Sequence, residues 1–555
     1  MNLKDLANIM FPDVKETVEE IETVEEIEKK YPERNLGEGV EVTRFAPSPT
    51  GFVHMGSLLS AFEDYKIAKD SNGIFYLRIE DTDQKRSVEN GISGIIKDLA
   101  DFDIIPDEGM ISETESIGNY GPYIQSERKS IYHAYAKHLV ELGYAYPCFC
   151  SSEELDETRK IQELNKERIG YYGSYAKCRS LTIEEAIEKI NNGEKYVVRF
   201  KSPGNFENKI TLEDEMRGTI EFPENDQDIV IIKSTDNLPT YHFAHVVDDH
   251  LMHTTVVMRG EEWIPSFPIH KQLFDVLGFK MPRYAHLGLV MKIDEEGTRR
   301  KLSKRKDPEA SVSFYHEKGI PVEATKLYLT TIANSNFEEW LLSNPKASLD
   351  EFKLDFKKMS ESGSLFDVDK LFNISKNYLS QITSEELYDR SLVWMKEFDQ
   401  ELYDLMVKYE DYTKAIFSIE RYQEKPRKDY SSYSDIRNGI WYMYDELFKD
   451  FEYEFQKVTD KDEIKNILNI YFDNYYDIND DKDTWFNKMK EMCDTLGYAS
   501  NMKEYKKNPE AFKGNVSDVA TVIRVSMTSC SMTPDLYEIL KLLGNERIKA
   551  RINML

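Results

Sequence analysis

The segment RFAPSPTGFVHMGS, residues 44–57, limits the possible folds more than any other part of the chain. It joins a strand end to two prolines, a glycine turn and a histidine entering a helical pattern. The helix-like LLSAFEDYKIAKDSNG follows, with Leu58, Leu59, Phe62, Tyr65 and Ile67 roughly on one face and Asn72-Gly73 as its stop signal. A second strand comes next, in IFYLRIEDTD. Strand, helix and strand in this order open a β-α-β unit and therefore a parallel sheet. Open α/β sheets bind ligands beyond the carboxyl ends of their strands, where helix N-termini offer free N–H groups to phosphate. A nucleotide is expected there. Gly51 and Gly56 would let the backbone approach it, and His54 could donate a hydrogen bond to phosphate oxygens as charge accumulates.

At 555 residues the chain exceeds one hydrophobic core, which stops growing at roughly 250 to 300 residues, so three to five compact units are expected. The apolar share of 40% and aromatic share of 12% are those of a globular protein. No run approaches the ~18 apolar residues that cross a bilayer, and the first residues lack a basic region followed by an apolar block, so neither insertion nor export is expected. Five cysteines, few and odd in number, suit a reducing cytoplasm better than a disulfide framework. The formal charge of -29 argues against a general grip on polyanions. Screening over ~8 Å nevertheless lets a local basic strip bind phosphates. Arg299, Arg300, Lys301, Lys304, Arg305 and Lys306 are the candidates.

Residues 1–40 suggest an acidic amphipathic helix lying on the surface, with Val18, Ile21, Val24 and Ile27 spaced by three among Glu19, Glu20, Glu22, Glu25, Glu26 and Glu28. A second helix, SERKSIYHAYAKHLVELGY, leads into YPCFC. Residues 146–235 then carry mixed short elements that look like an insertion. Strand and helix signals return in NLPTYHFAHVVDDHLMHTTVVMRGEEW, which makes the α/β domain a split one. Beyond about residue 320 the pattern is helical, without a fixed repeat.

The second informative tract is RRKLSKRK, residues 299–306, placed after EEGT and so expected on an exposed turn. A charge run alone is usually a solvated face. Here His54-Met55-Gly56-Ser57 and Lys301-Leu302-Ser303-Lys304-Arg305 resemble, in order, the HIGH and KMSKS motifs of class I aminoacyl-tRNA synthetases. The last HIGH position is Ser57, so only His54 and Gly56 carry over. RFAPSPTG, LRIEDTD, PTYHFAHVVDDHLM and VMRGEEW are similar to glutamyl-tRNA synthetases of the bacterial type. The likeness is dense over residues 42 to about 325 and looser beyond.

This resemblance implies an α/β catalytic domain with a split Rossmann-like parallel sheet, an inserted acceptor-binding domain and an all-α C-terminal anticodon-binding region. The expected divisions are an N-terminal extension (1–40), the catalytic halves (41–145 and 236–295), the acceptor-stem insertion (146–235), a connecting module with the KLSKR loop (296–375) and the anticodon-binding helices (376–555). The implied activity is ATP-dependent ligation of L-glutamate to tRNA(Glu), by a cytoplasmic monomer. A form that also charges tRNA(Gln) and a non-catalytic RNA-binding paralogue are the alternatives; retention of His54, Glu80 and Lys304 disfavours the latter.

Glutamate brings two carboxylates and an ammonium group, so its pocket needs cationic forks and a carboxylate. Arg44, Arg259 and Glu80 meet that need, and Ala46, Ser48, Tyr241 and His245 match family positions that bind the amino acid. For ATP the resemblance implies Gly51, His54, Gly56, Glu262, Trp263 and Lys304, with Lys301, Ser303 and Arg305 completing the catalytic loop. Mg²⁺ is expected with ATP, held partly by phosphate oxygens and water. Asp248 and Asp249 are acidic neighbours, with helix capping or exposure the plain reading of both. Cys148, Cys150 and Cys178 resemble the zinc-binding insertion of some family members. No fourth cysteine or histidine is present, and Tyr172 or Tyr175 would be an unusual substitute, so a metal-free hairpin is expected in preference to zinc.

Overall fold

The computed structural model describes residues 1–14, 23–51, 53–303, 305–345 and 347–555. The expected strand–helix–strand opening is present. β1 (Val42–Phe45) and β2 (Ile74–Leu77) pair in parallel, with Val42 opposite Ile74. β3 (Glu108–Met110) continues the parallel order beside β2, and β4 (Ser116–Ile117) closes that edge antiparallel. β1 is buried along its whole length, as suits a strand covered on both faces.

The insertion contributes β5 (Ala145–Cys148), β6 (Val197–Phe200), the hairpin of β7 (Lys209–Asp214) with β8 (Gly218–Pro223), and β9 (Val230–Ile232). β5, β6 and β9 form an antiparallel sheet. The second half of the split domain supplies β10 (Val256–Gly260) and β11 (Arg283–Leu287), paired in parallel. The Thr255 N–H donates to the Val42 carbonyl at 2.9 Å, which draws β10 alongside β1. β12 (Met291–Ile293) and β13 (Arg299–Lys301) form a further hairpin.

The helix Met55–Asp70 begins three residues earlier than its apolar pattern suggests, because His54 caps it. It is buried on more than the expected single face: Glu63, Asp64 and Lys66 are buried together with Leu58, Leu59, Phe62 and Ile67. One side meets the sheet, and the other meets residues 352–354, where Lys66 Nζ bonds the Phe352 carbonyl and the Leu354 N–H donates to Asp70 at 3.1 Å. The stop is as expected, with Asn72 in the left-handed region (φ 55°). A Cβ at Gly73 would lie 1.9 Å from the Glu41 carbonyl oxygen.

Chain contacts divide the molecule into two compact units where three to five were expected. The first comprises Met1–Phe314 and Lys326–Asp367, the second Tyr315–Thr325 and Val368–Leu555. The insertion does not stand apart from the catalytic sheet, since the Glu215 N–H donates to the Tyr284 carbonyl at 2.8 Å. The second unit is helical and has no strand among its described residues. Its core includes Leu387, Met395, Leu402, Met406, Ile436, Met492, Val519, Ile523 and Ile539. Arg421 is buried there and donates to the carbonyls of Phe417, Leu379 and Ile382 at 2.7 to 2.8 Å. No helix among the described residues is long and apolar enough to cross a membrane.

The N-terminal extension departs from the surface helix expected of it. Val18, Ile21, Glu19, Glu20 and Glu22 lie outside the described residues, and the described part holds helices Leu3–Met10 and Val24–Lys30. It is anchored in the first unit rather than laid over it. Arg34 forms a fork on Glu108 at 2.7 and 2.8 Å, and its guanidinium lies 3.8 Å from the Tyr120 ring centre. The Tyr31 hydroxyl donates to the Gly121 carbonyl at 2.7 Å. Removing one partner of a buried ion pair strands the other charge. Arg34→Ala is therefore expected to cost about 3 kcal/mol in chemical denaturation. A cost within experimental error would show that this anchor is not needed.

Candidate active site

A cleft of about 1100 Å³ opens in the first unit at the carboxyl ends of β1 and β10. Arg44, Ala46, Ser48, Gly51, His54, Gly56, Glu80, Tyr241, Arg259, Glu262, Trp263, Lys301 and Ser303 all line it. Of the other expected residues, His245 is fully buried behind the wall, Arg305 is exposed and off the lining, and Lys304 lies outside the described residues.

The helix Met55–Asp70 points its N-terminus into the cleft. His54 Nδ1 accepts from the Ser57 N–H at 3.0 Å, which places the imidazole hydrogen on Nε2, 3.0 Å from Ser57 Oγ. A Cβ on Gly56 would press on the His54 ring at 3.1 Å, so glycine leaves that ring its place. Gly51 sits at φ 131°, a conformation open to glycine. The His54 backbone forms an antiparallel bridge with Ser311, just beyond the basic tract, so the two distant loops meet at one cleft.

The basic tract is not the freely exposed turn expected of it. Its first three residues are β13, and the turn proper is residues 294–298. Arg300 forks onto Asp307 at 2.6 and 2.7 Å and holds that carboxyl well below its ordinary range. Arg299 donates to the Ser362 carbonyl at 2.7 Å. Two of the six cations are thus engaged by the protein itself. Lys301 faces the cleft.

Beside the carboxyl ends of β1 and β2, Arg44 and Glu80 are each paired with another residue. Arg44 lies 3.4 Å from Asp249 and donates to the Met258 carbonyl at 3.1 Å. Arg78 bridges Asp249 at 2.7 Å and Glu80 at 3.0 Å. Asp248 accepts from Arg128, Gln125 and Tyr132 at 2.7 to 2.9 Å. Neither Asp248 nor Asp249 caps a helix or meets solvent; both are buried counter-ions. Burial alone would raise Asp249, but Arg78 and Arg44 outweigh it and keep the carboxyl ionised. Burial wins at Glu80, which is raised despite the same two arginines.

Tyr241 begins the helix Tyr241–Leu251 and stacks one turn above His245 at 5.5 Å, with Trp263 at 4.0 Å on its other side. His245 Nε2 meets the Tyr284 hydroxyl at 2.8 Å, and burial drives its imidazole down to about 3, against the pull of Asp249. It is therefore a neutral support for Tyr241. Arg78, Asp214, His242, His270 and His286 also shape the site and were not singled out by sequence. Arg78 stood inside the LRIEDTD motif and His242 inside PTYHFAHVVDDHLM, which were usable signals, but Asp214, His270 and His286 come from separate segments without a shared pattern.

Away from the cleft, the sulfurs of Cys148, Cys150 and Cys178 lie within 4.8 Å of one another. The Tyr171 hydroxyl is 3.3 Å from both Cys148 and Cys150 Sγ. Tyr172 and Tyr175, the tyrosines considered from sequence, instead donate to the Arg168 carbonyl and to Glu167.

Residues 41–372 match the family described as tRNA synthetases class I (E and Q), catalytic domain. The glutamate–tRNA ligase of Clostridium perfringens is 48% identical over 555 residues, covering 100% of both chains. That of Acetivibrio thermocellus is 47% identical over 555 residues, again covering 100% of both. Among solved structures, a glutamate–tRNA ligase from Elizabethkingia meningosepticum in complex with its amino acid superposes with a TM-score of 0.73 at 26% identity, covering 93% of this chain and 99% of that one. With a cleft built from both motif loops and likeness along its full length, the chain belongs to the class I (E and Q) tRNA synthetases, among the glutamate–tRNA ligases.

Proposed function

We propose that this enzyme ligates L-glutamate to tRNA(Glu) through a glutamyl-adenylate. The observation that carries the reading is one cleft holding Arg44, Arg259 and Glu80 beside a histidine-capped helix N-terminus and the Lys301–Ser303 loop. In the first step a glutamate α-carboxylate oxygen attacks the α-phosphorus of ATP and pyrophosphate leaves. In the second, a hydroxyl of the terminal adenosine of tRNA attacks the activated carbonyl and AMP leaves. The two arginines hold the carboxylates, Glu80 receives the ammonium group, and Ala46, Ser48 and Tyr241 complete the pocket. His54, the free N–H groups of its helix and the Lys301–Arg305 loop, Lys304 above all, stabilise charge developing on the phosphates. Gly51, Glu262 and Trp263 flank the nucleotide, whose phosphate oxygens and water hold Mg²⁺.

The insertion at 146–235 takes the acceptor stem, the module at 296–375 connects, and the helices at 376–555 take the anticodon. The enzyme acts as a cytoplasmic monomer. The Cys148, Cys150 and Cys178 sulfurs with the Tyr171 hydroxyl make a tetrahedral donor set for structural zinc. Supporting this, tetrahedral Zn–S bonds of about 2.3 Å separate sulfurs by about 3.8 Å, and Cys150 and Cys178 Sγ are 3.6 Å apart. The hydrogen bond with Cys178 lowers the Cys148 thiol and raises that of Cys178, and burial raises Cys150, so in the metal-free trio Cys148 is the thiol most readily ionised. Zinc there would staple the loop to β5.

Glutamate-dependent ATP–pyrophosphate exchange, measured with tRNA present, tests the reaction, and charging of purified tRNA(Glu) and tRNA(Gln) tests its specificity. Arg44→Ala should lose glutamate activation while circular dichroism is retained; unchanged exchange would remove its assignment. Lys304→Ala should slow exchange by about 10²- to 10³-fold, the usual effect of removing one preorganised donor, and a loss under about tenfold would count against its role. Elemental analysis should find about one zinc per chain, lost in Cys178→Ser. Protein that is folded and zinc-free after purification without chelator would restore the metal-free hairpin.

A further inference from the structure

Arg259 stands on β10 at the cleft wall, and two imidazoles hold its guanidinium where a carboxylate is the usual partner. Nε donates to His286 Nε2 at 3.0 Å, and Nη1 bonds His270 Nδ1 at 2.9 Å. The Tyr284 ring centre is 4.6 Å away. A guanidinium carries only donors, so both ring nitrogens that face it must present lone pairs. His286 therefore bears its hydrogen on Nδ1, 2.7 Å from Asp214 Oδ2. His270 bears its hydrogen on Nε2, 3.0 Å from His242 Nδ1.

Asp214 is fixed in turn. Its Oδ1 accepts from the N–H groups of Met216 and Arg217 at 3.0 and 2.9 Å, and its Oδ2 from the His286 N–H at 3.1 Å. Burial lowers His270 and His286 below the usual imidazole value and takes His242 down to about 4, so these rings stay uncharged near neutrality. Arg259 Nη2 is buried and makes no hydrogen bond of ordinary geometry among the described residues, while the guanidinium sits close enough to the Tyr241 hydroxyl to offset part of the burial that raises that phenol. Buried donors are seldom left unpaired, and this one belongs to a cleft-lining residue.

We propose that Asp214, His242, His270 and His286 are positioning residues that hold the Arg259 guanidinium at the cleft wall for a carboxylate of the amino-acid substrate. The inference rests on the glutamate-site reading above. Its physical sense lies in the choice of neutral acceptors. A protein carboxylate would orient Arg259 equally well but would offset the positive charge that the substrate needs, whereas an imidazole lone pair orients without neutralising.

The test is glutamate-dependent ATP–pyrophosphate exchange with tRNA present. In Asp214→Asn the new amide can donate to His286 Nδ1, which moves the ring hydrogen to Nε2 and against Arg259. That variant, His286→Leu and His270→Leu should each raise KM for glutamate about tenfold to a hundredfold, the range for losing a charged hydrogen bond. KM for ATP should stay within about twofold. His286→Gln and His270→Asn return an acceptor near Nε2 and Nδ1 respectively, and should recover most of the lost affinity. Equal losses in the polar and apolar variants, or a parallel rise in KM for ATP, would overturn the proposal. Should the leucine variants fail to fold, the near-isosteric Asp214→Asn decides by the same KM comparison. Exchange in the parent enzyme with unchanged glutamate KM in the variants defeats this inference alone. No glutamate-dependent exchange in the parent defeats the glutamate reading, and this inference with it.

Discussion

Two adjacent carboxylates, Asp248 and Asp249, neutralise the arginines at the centre of the catalytic unit, and the placement of most site residues follows from them. They stand near the end of a helix from the second half of the split domain. The arginines they meet come from the first: Arg44 on β1, Arg78 just beyond β2, and Arg128 at the start of the helix Lys129–Glu141. Each group is almost completely removed from water, so separation would leave a charge whose desolvation is not compensated. Such pairs add little net stability over apolar packing, but they tolerate few alternative arrangements. Here they join chain segments more than 100 residues apart in one register.

The same network sets the character of the two arginines that line the cleft. Arg44 shares Asp249 with Arg78, and that carboxylate remains ionised, so part of the Arg44 charge is already answered. Arg259 has no carboxylate partner among the described residues and leans on neutral rings instead. The cleft therefore holds two guanidinium groups of different effective charge. Glu80, kept beside Arg78, is raised by burial.

The side of the cleft at the helix Met55–Asp70 depends on backbone more than on ion pairs. Its helix N-terminus is aimed by β1, its histidine is oriented by capping, and the bridge from His54 to Ser311 fixes where the second motif loop can lie. Free N–H groups at a helix start favour anions whatever the distant net charge of the surface, because solvent and salt screen that charge within a few ångströms to a nanometre. A chain of formal charge -29 can thus keep a phosphate site.

Local order was legible in the sequence because it is written by neighbours. The strand–turn–helix of residues 42–70, the Asn72-Gly73 stop and the helical second half followed from spacing, and thirteen of the expected site residues found at one cleft followed from the residues together with the family resemblance. Partner choice was not legible. That Glu80 pairs with Arg78 rather than Arg44, that Arg299 and Arg300 are consumed within the protein, that Tyr171 and not Tyr172 or Tyr175 reaches the thiols, and that His245 supports the pocket from behind all depend on segments brought together only by folding. Hydrogen bonds and ion pairs are decided over about 3 Å, and no periodicity along the chain encodes which atoms will arrive at that distance. The sequence therefore determined which chemical groups this cleft could contain, while the tertiary structure decided which of them its own charges leave available to a substrate.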